Sequence, residues 1–198
     1  MTSPPPESPD AGDAVSRLAA ALGEVAKGKG PPPVERWNPP YCGEIPMRIA
    51  ADGTWHYNGS PIQRPALVKL FSTILRRDPE RFVLVTPVER VGIEVEDAPF
   101  QAVEMAVEGE GESRDLAFRT NVDDLVRVGP EHPLRFARDE AGGLKPYLRV
   151  RGDLWARLTR ALAYDLADLA EERMIDGAKV VGVAAGGSFH VIGPADQA

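Results

Sequence analysis

Apolar residues recur along the chain at two periods, and the period changes several times. Val15, Leu18, Leu22 and Val25 fall three or four apart behind Asp13, whose side chain can cap a helix, and Lys27 and Gly28 follow as a favourable last-turn charge and a stop. This pattern predicts an amphipathic helix over 13–27 that packs on the body of the protein or binds a partner. From Met47 the period is two. Met47, Ile49 and Ala51 alternate with Arg48 and Ala50, Asp52-Gly53 turns the chain, and Trp55-His56-Tyr57 returns it as a hairpin. Asn58-Gly59 marks a second turn. Leu67, Leu70, Phe71, Ile74 and Leu75 then restore helical spacing, with Lys69, Arg76 and Arg77 off the stripe, until Pro79 stops it.

A β-rich stretch follows. Strands are predicted at 82–86, 91–96, 100–108, 115–120, 125–128, 134–137 and 147–151, with hairpin loops at Gly109-Glu110-Gly111-Glu112 and Gly142-Gly143. Leu154, Leu158, Leu162, Leu166 and Leu169 predict one long helix over 153–174, closed by Asp176-Gly177. A final hairpin pairs 180–183 with 189–192.

One stretch resembles another. Pro46-Met47-Arg48-Ile49-Ala50-Ala51-Asp52 aligns with Pro133-Leu134-Arg135-Phe136-Ala137-Arg138-Asp139, and each opens a hairpin followed by a helix. The order predicts an α+β fold built on a duplicated hairpin–helix unit. Three regions are expected: a disordered, Pro-rich tail with the short amphipathic helix (1–30), a small strand–strand–helix domain (31–80), and a larger C-terminal domain (81–198).

At 198 residues, with 43% hydrophobic and 27% charged residues, the chain can bury an ordinary core. A net charge of −7, with bases interspersed among acids, argues against a nucleic-acid partner. A single cysteine excludes an internal disulfide and a multi-cysteine metal site. The start lacks the basic and apolar parts of a signal peptide, and no apolar run approaches the ~20 residues that span a bilayer. A cytoplasmic protein without a membrane span is expected.

Candidate chemistry is sparse. His56, His132 and His190 lie in separate segments without ligand spacing, so no metal or cofactor is expected. Cys42, beside Pro39, Pro40 and Gly43, reads as a small buried residue, and no nucleophile–base pair identifies a catalytic residue. The glycines at 182, 186 and 187 read as a hairpin, since a strand and not a helix follows them. Trp37-Asn38-Pro39-Pro40-Tyr41-Cys42-Gly43 predicts a rigid loop whose rings cover either the core or a ligand. Arg64 and Lys69, at the start of a helix, suit a phosphate or carboxylate, and equally suit a solvated surface. Thr120 and Asn121 end a strand as recognition groups or as a structural turn.

The run from Trp37 through Pro99 resembles the uncharacterised bacterial family called domain of unknown function 1285. The resemblance is carried by the Trp37–Gly43 segment, Met47-Arg48-Ile49, Asp52-Gly53-Thr54-Trp55, Gly59-Ser60-Pro61-Ile62, Leu70-Phe71-Ser72 and Thr86-Pro87-Val88-Glu89. Asp97-Ala98-Pro99-Phe100, Phe118-Arg119-Thr120-Asn121 and Gly129-Pro130-Glu131-His132-Pro133-Leu134 extend it. The resemblance implies a second half similar to pleckstrin-homology-like barrels, closed by a long helix. It also implies a nucleotide-like ligand at the junction of the halves and a role in signalling. On that basis the chain is expected to bind a small anionic molecule through Arg48, Arg64 and Lys69, with Thr120 and Asn121 on its polar edge. Tyr57 or Tyr147 would stack on it, and Arg151 adds a further cation. The competing expectation is a protein-interaction module with no small ligand.

Overall fold

The structure is a computed structural model that describes residues 16–18, 20 and 31–196. The chain divides into two compact units, Met1–Glu96 and Asp97–Ala198. The break lies beyond the boundary expected at 80/81, because the strands after Pro79 complete the sheet of the first unit.

The first unit orders its elements as a 3-10 turn (Val34–Arg36), β1 (Tyr41–Ile49), β2 (Trp55–Tyr57), β3 (Ser60–Pro61), α1 (Pro65–Thr73), β4 (Leu75–Asp78), β5 (Arg81–Val85) and β6 (Arg90–Val95). Its sheet runs β3-β2-β1-β6-β5-β4, two antiparallel meanders joined by the parallel pair β1 and β6. Asn58 and Gly59 take φ of 49° and 76° at the two-residue β2–β3 turn, a backbone that Asn-Gly adopts readily. Met47, Ile49, Trp55, Phe71, Ile74 and Leu84 form the core, with the Trp55 and Phe71 rings stacked at 6.5 Å.

Two expectations change here. The helix stops at Thr73, well before Pro79, and Leu75 begins β4 opposite Leu84. Ser72 and Thr73 donate their hydroxyls to the carbonyls of Lys69 and Leu70, both at 2.7 Å, a back-bonding that weakens the last turn. The expected Trp37–Gly43 loop is a loop only as far as Pro40. Tyr41-Cys42-Gly43 opens β1, whose register against β6 shifts twice and whose Gly43 has φ of 92°. Cys42 is exposed on this irregular strand, not buried, and its Sγ donates to the Pro40 carbonyl.

The residues described from the predicted 13–27 helix, Ser16–Leu18 and Ala20, are helical. Leu18 is fully buried and Arg17 lies 3.8 Å from Glu89. The remainder of that helix and the tail before it lie outside the described residues.

The second unit contains β7 (Phe100–Glu108), a 3-10 turn (Gly111–Ser113), β8 (Asp115–Thr120), β9 (Leu125–Arg127), β10 (Leu134–Arg138), β11 (Leu144–Arg151), β12 (Leu154–Leu158), α2 (Arg160–Ala167), β13 (Glu171–Ile175), β14 (Ala178–Ala185) and β15 (Ser188–Pro194). One sheet runs β10-β11-β12-β7-β8-β9 with β7 parallel to β12, and a second runs β13-β14-β15. The last hairpin has Val183 opposite His190, and it turns at Gly186 and Gly187 with φ of 57° and 73°.

The long helix over 153–174 is replaced by a strand, a short helix and a strand. A spacing of four is even, so Leu154 and Leu158 also share one face of a strand, and Ala156 between them is buried on that same face. Thr159 then starts α2 as its N-cap, with its side chain accepting from the Leu162 amide. The fold is α+β and mostly sheet, with two short helices outside the N-terminal segment among the described residues. No helix of the described residues is long and apolar enough to cross a membrane.

Candidate functional site

β11 reads Leu144-Lys145-Pro146-Tyr147-Leu148-Arg149-Val150-Arg151, and the strand period puts its apolar and polar members on opposite faces. Pro146, Leu148 and Val150 are buried with Leu154, Ala156 and Leu158 of β12. Lys145, Tyr147 and Arg149 lie on the other face, where Tyr147 is itself buried at 5% exposure and offers no open ring for the expected stacking. Register adds to them, since Arg135 of β10 and Arg157 of β12 flank Tyr147, and Trp155 stands opposite Arg149. One sheet face therefore carries four bases and two aromatic rings, in a chain whose net charge is −7.

The electrostatics are asymmetric. Asp97 serves three of these groups: its Oδ1 accepts from the Tyr147 hydroxyl at 2.7 Å, and its Oδ2 lies 2.9 Å from Arg157 and 3.5 Å from Lys145. Burial, then the hydrogen bond and the charge of Asp97, push the Tyr147 phenol up to about 12, so it remains a donor at neutral pH. Arg135 lies 5.0 Å from the Tyr147 ring centre and 4.3 Å from that of Trp155. Arg149 donates from Nε to the Gly152 carbonyl at 2.6 Å. Neither Arg135 nor Arg149 has a carboxylate partner among the described residues.

At the end of β11 the face runs into a recess of about 420 Å³ lined by Pro130, Glu131, His132, Arg149, Arg151 and Gly152. A register shift between Arg149 and Arg151 sets Arg151 opposite Leu154. There its guanidinium lies 4.9 Å over the Phe100 ring and donates to Asp124 at 2.5 Å. His132 is fixed by its Nδ1 at 3.1 Å from the Arg149 carbonyl. Two guanidiniums and an imidazole around a shallow hollow can hold a phosphate or carboxylate by charge-assisted hydrogen bonds.

The residues expected from sequence divide between the units. Arg48, Tyr57, Arg64 and Lys69 belong to the first, and Thr120, Asn121, Tyr147 and Arg151 to the second. Arg48 pairs with Glu96, which also accepts from the Ala51 amide at 2.8 Å. Tyr57 is half-buried on β2, Arg64 is exposed at the N-cap of α1, and Lys69 is exposed within that helix. Thr120 is fully buried and its Oγ1 accepts from the amides of Val122 and Asp124. Asn121 accepts from the Gln101 amide at 3.0 Å. Tyr147 lies on the cationic face, and Arg151 lines the recess at its end.

The sequence reading missed Arg135, Lys145, Arg149, Trp155 and Arg157. Their signal was present in part, as bases alternating with apolar residues from Lys145 to Arg151, but the cross-strand neighbours depend on register. Among the described residues no group of His, Cys, Asp and Glu is placed to hold a metal ion.

Comparison with known proteins gives a consistent result. The N-terminal domain of the family described as domain of unknown function DUF1285 matches residues 32–98, and its C-terminal domain matches 99–192. A crystal structure of a DUF1285 family protein from Silicibacter pomeroyi DSS-3 is 48% identical, covering 91% of this chain and 96% of its own, with a TM-score of 0.81. A second, from Shewanella baltica OS155, is 28% identical over 63% of this chain and 91% of its own, with a TM-score of 0.51. No curated protein matches. With both family domains matched in order across nearly all the described residues, the chain belongs to the DUF1285 family.

Proposed function

We propose that this protein binds a small anionic molecule, nucleotide-like in carrying both phosphate and a ring, and acts as a sensor of that molecule in bacterial signalling. The observation that carries the reading is the segregation of Arg135, Lys145, Arg149 and Arg157 with Tyr147 and Trp155 on one sheet face of an acidic protein. The phosphate belongs in the recess between Arg149 and Arg151, and Trp155 offers a ring for stacking. Charge-assisted hydrogen bonds contribute roughly 1.5–3 kcal/mol each, so two or three supply most of the ~8 kcal/mol of micromolar binding.

The finer fold readings accompany this proposal. We infer a duplicated unit from the order three strands, helix, three strands, which occurs in β1–β6 around α1 and again in β10–β15 around α2. A pleckstrin-homology-like second unit is supported by the run of strands β7–β12 ahead of α2. The interaction-module reading has its own support in β13, an edge strand of its sheet with Met174 67% exposed and Ile175 37% exposed.

The test is a thermal scan against pyrophosphate, nucleotides, cyclic nucleotides and sugar phosphates, with Arg149→Ala as control. A ligand at a hundred times its Kd adds ~2.7 kcal/mol, a shift of roughly 5–11 °C for this size. If no compound moves the midpoint by more than about a degree, or Arg149→Ala responds like wild type, the assignment fails and the interaction reading replaces it.

A further inference from the structure

A second cleft in the same unit shares no lining residue with that recess. It occupies about 530 Å³ between the β10–β11 hairpin, the end of β12 and α2. Its walls are apolar: Leu144, Pro146 and Leu158 on the strand side, Ala163 and Ala167 on the helix side. Pro146 and Leu158 are buried, so their surface towards the cleft belongs to the packed body of the unit. The small alanines keep α2 from filling the space.

The polar groups sit at the rim and differ in how far they are already engaged. Arg157 pairs with Asp97 at 2.9 Å. The Asp139 carboxylate is turned into its hairpin, where Oδ1 accepts from the amides of Ala141 at 3.0 Å and Gly143 at 2.6 Å. Arg160 is exposed, and its guanidinium meets Tyr164, the hydroxyl at 3.1 Å from Nη2 and 3.3 Å from Nε and the ring centre at 5.7 Å. No carboxylate answers Arg160 among the described residues. The cleft thus combines an apolar trough, of a volume suited to a small ligand, with the Arg160 guanidinium and a phenol at its mouth, while the Asp139 carboxylate on the hairpin side is held by its own loop amides.

We propose that this cleft is a second binding site, for an amphipathic monoanion: an apolar chain or ring carrying one carboxylate, sulfonate or phosphate. The apolar body lies against Leu144, Pro146 and Leu158, and the anionic head takes a charge-assisted hydrogen bond from Arg160, with Tyr164 beside it. A neutral molecule of the same shape leaves Arg160 unanswered, and a small inorganic anion leaves the trough wet. Both bind more weakly.

Anilinonaphthalene sulfonate, a fluorescent aromatic monoanion, and decanoate are the probes, used on the full chain. The expected result is a saturable rise in fluorescence at micromolar probe that decanoate reverses and decanol does not. Arg160→Glu should weaken probe binding at least about tenfold, since it replaces the attracting charge with a repelling one. Ala163→Trp should abolish binding by filling the trough, and Arg36→Glu, an exposed charge reversal that lines neither site, should leave it unchanged. Because Arg160 is exposed, Arg160→Glu keeps its fold and decides the matter even where Ala163→Trp lowers the thermal midpoint. Absence of a saturable rise in wild type, equal displacement by decanol, or wild-type affinity in Arg160→Glu overturns the proposal. A comparable loss in Arg36→Glu would mean that the probe follows net charge alone, and overturns the proposal as well.

Discussion

Replacing Arg76 by alanine should destabilise the first unit by about 2–4 kcal/mol, although the side chain stands in sequence like an exposed helical arginine. It lies on β4 and is 8% exposed. Its Nε donates to Asp78 Oδ1 at 2.7 Å, and its Nη1 donates to the carbonyls of Val34 at 2.8 Å and Trp37 at 2.7 Å. Breaking a buried ion pair typically costs about 3–5 kcal/mol. Two features of this site lower that figure. Asp78 keeps Arg90, whose guanidinium lies 3.0 Å from its other oxygen, and the Val34 carbonyl keeps the Trp37 amide at 3.2 Å. The Trp37 carbonyl loses the donor described for it, at a cost of about 1–3 kcal/mol. Lysine at this position keeps the charge but lacks the planar fork that serves the carboxylate and the two carbonyls together, so Arg76→Lys should recover only part of the loss. The assay is urea unfolding followed by tryptophan fluorescence, with hydrogen exchange at residues 34–37 to localise the effect. Exchange there should quicken in Arg76→Ala. A loss below about 1 kcal/mol, or full recovery by lysine, would refute the reasoning.

Leu18→Ala should cost about 2–5 kcal/mol, and deleting residues 1–30 should lower the thermal midpoint by several degrees, because the Leu18 side chain is fully buried. An unchanged midpoint would make the segment a detachable appendage. His190 is 8% exposed and its pKa is lowered, first by burial. A depressed histidine pKa means that the unfolded chain takes up the proton first, so stability should be constant above the ordinary value near 6.5 and fall as the pH drops through it towards the folded value. His190→Gln should flatten that decline, and an unaltered pH profile in the variant would remove His190 from it. Gly186→Ala and Gly187→Ala share a left-handed φ, but a Cβ at Gly186 would stand 2.2 Å from the Val128 carbonyl oxygen, while one at Gly187 meets nothing within 4 Å. Urea melts should show about 1 kcal/mol lost at Gly187 and clearly more at Gly186, and equal losses would discount the close approach.

The legible parts of the fold were those where one local signal sufficed. Asp52-Gly53, Asn58-Gly59 and Gly186-Gly187 mark turns because the backbone there needs glycine or asparagine, and β5, β6, β9, β10, β14 and β15 fall within a residue or two of their expected places, while β1 and β11 start earlier than expected. β7 and β8 match their predicted bounds at both ends. The failures share a physical cause. An apolar stripe spaced by four suits both a helix and one face of a strand, so periodicity left 153–174 undecided and carried the first helix on to Leu75, four beyond Phe71. Pairing decided them: Leu75 stands opposite Leu84, and Ala156 stands opposite both Leu148 and Phe100. The exposed Cys42 has a related origin, because the bulged start of β1 is set by its partner β6 and not by the local prolines.

The candidate site was legible only along a single strand. Lys145, Tyr147 and Arg149 alternate with buried residues, so their common face follows from the sequence once 144–151 is known to be a strand. Arg135 and Arg157 join that face through register alone, since a slip of one residue in either neighbour would turn them to the apolar side. Arg151 shows the reverse. Its spacing places it with Arg149, yet one irregularity in the ladder sets it opposite Leu154 and beside Phe100. Thr120 and Asn121 were attractive as polar groups at a strand end, but the Thr120 side chain accepts from amides of that turn, which Asp123 passes with φ of 65°, and the Asn121 side chain accepts from the Gln101 amide of β7. A polar side chain next to a tight turn has backbone donors within reach before any ligand arrives. Arg135 and Arg149 have no carboxylate partner among the described residues, Arg149 meeting the Gly152 carbonyl through its Nε, and so their charge singles out the β10–β12 face within the second unit.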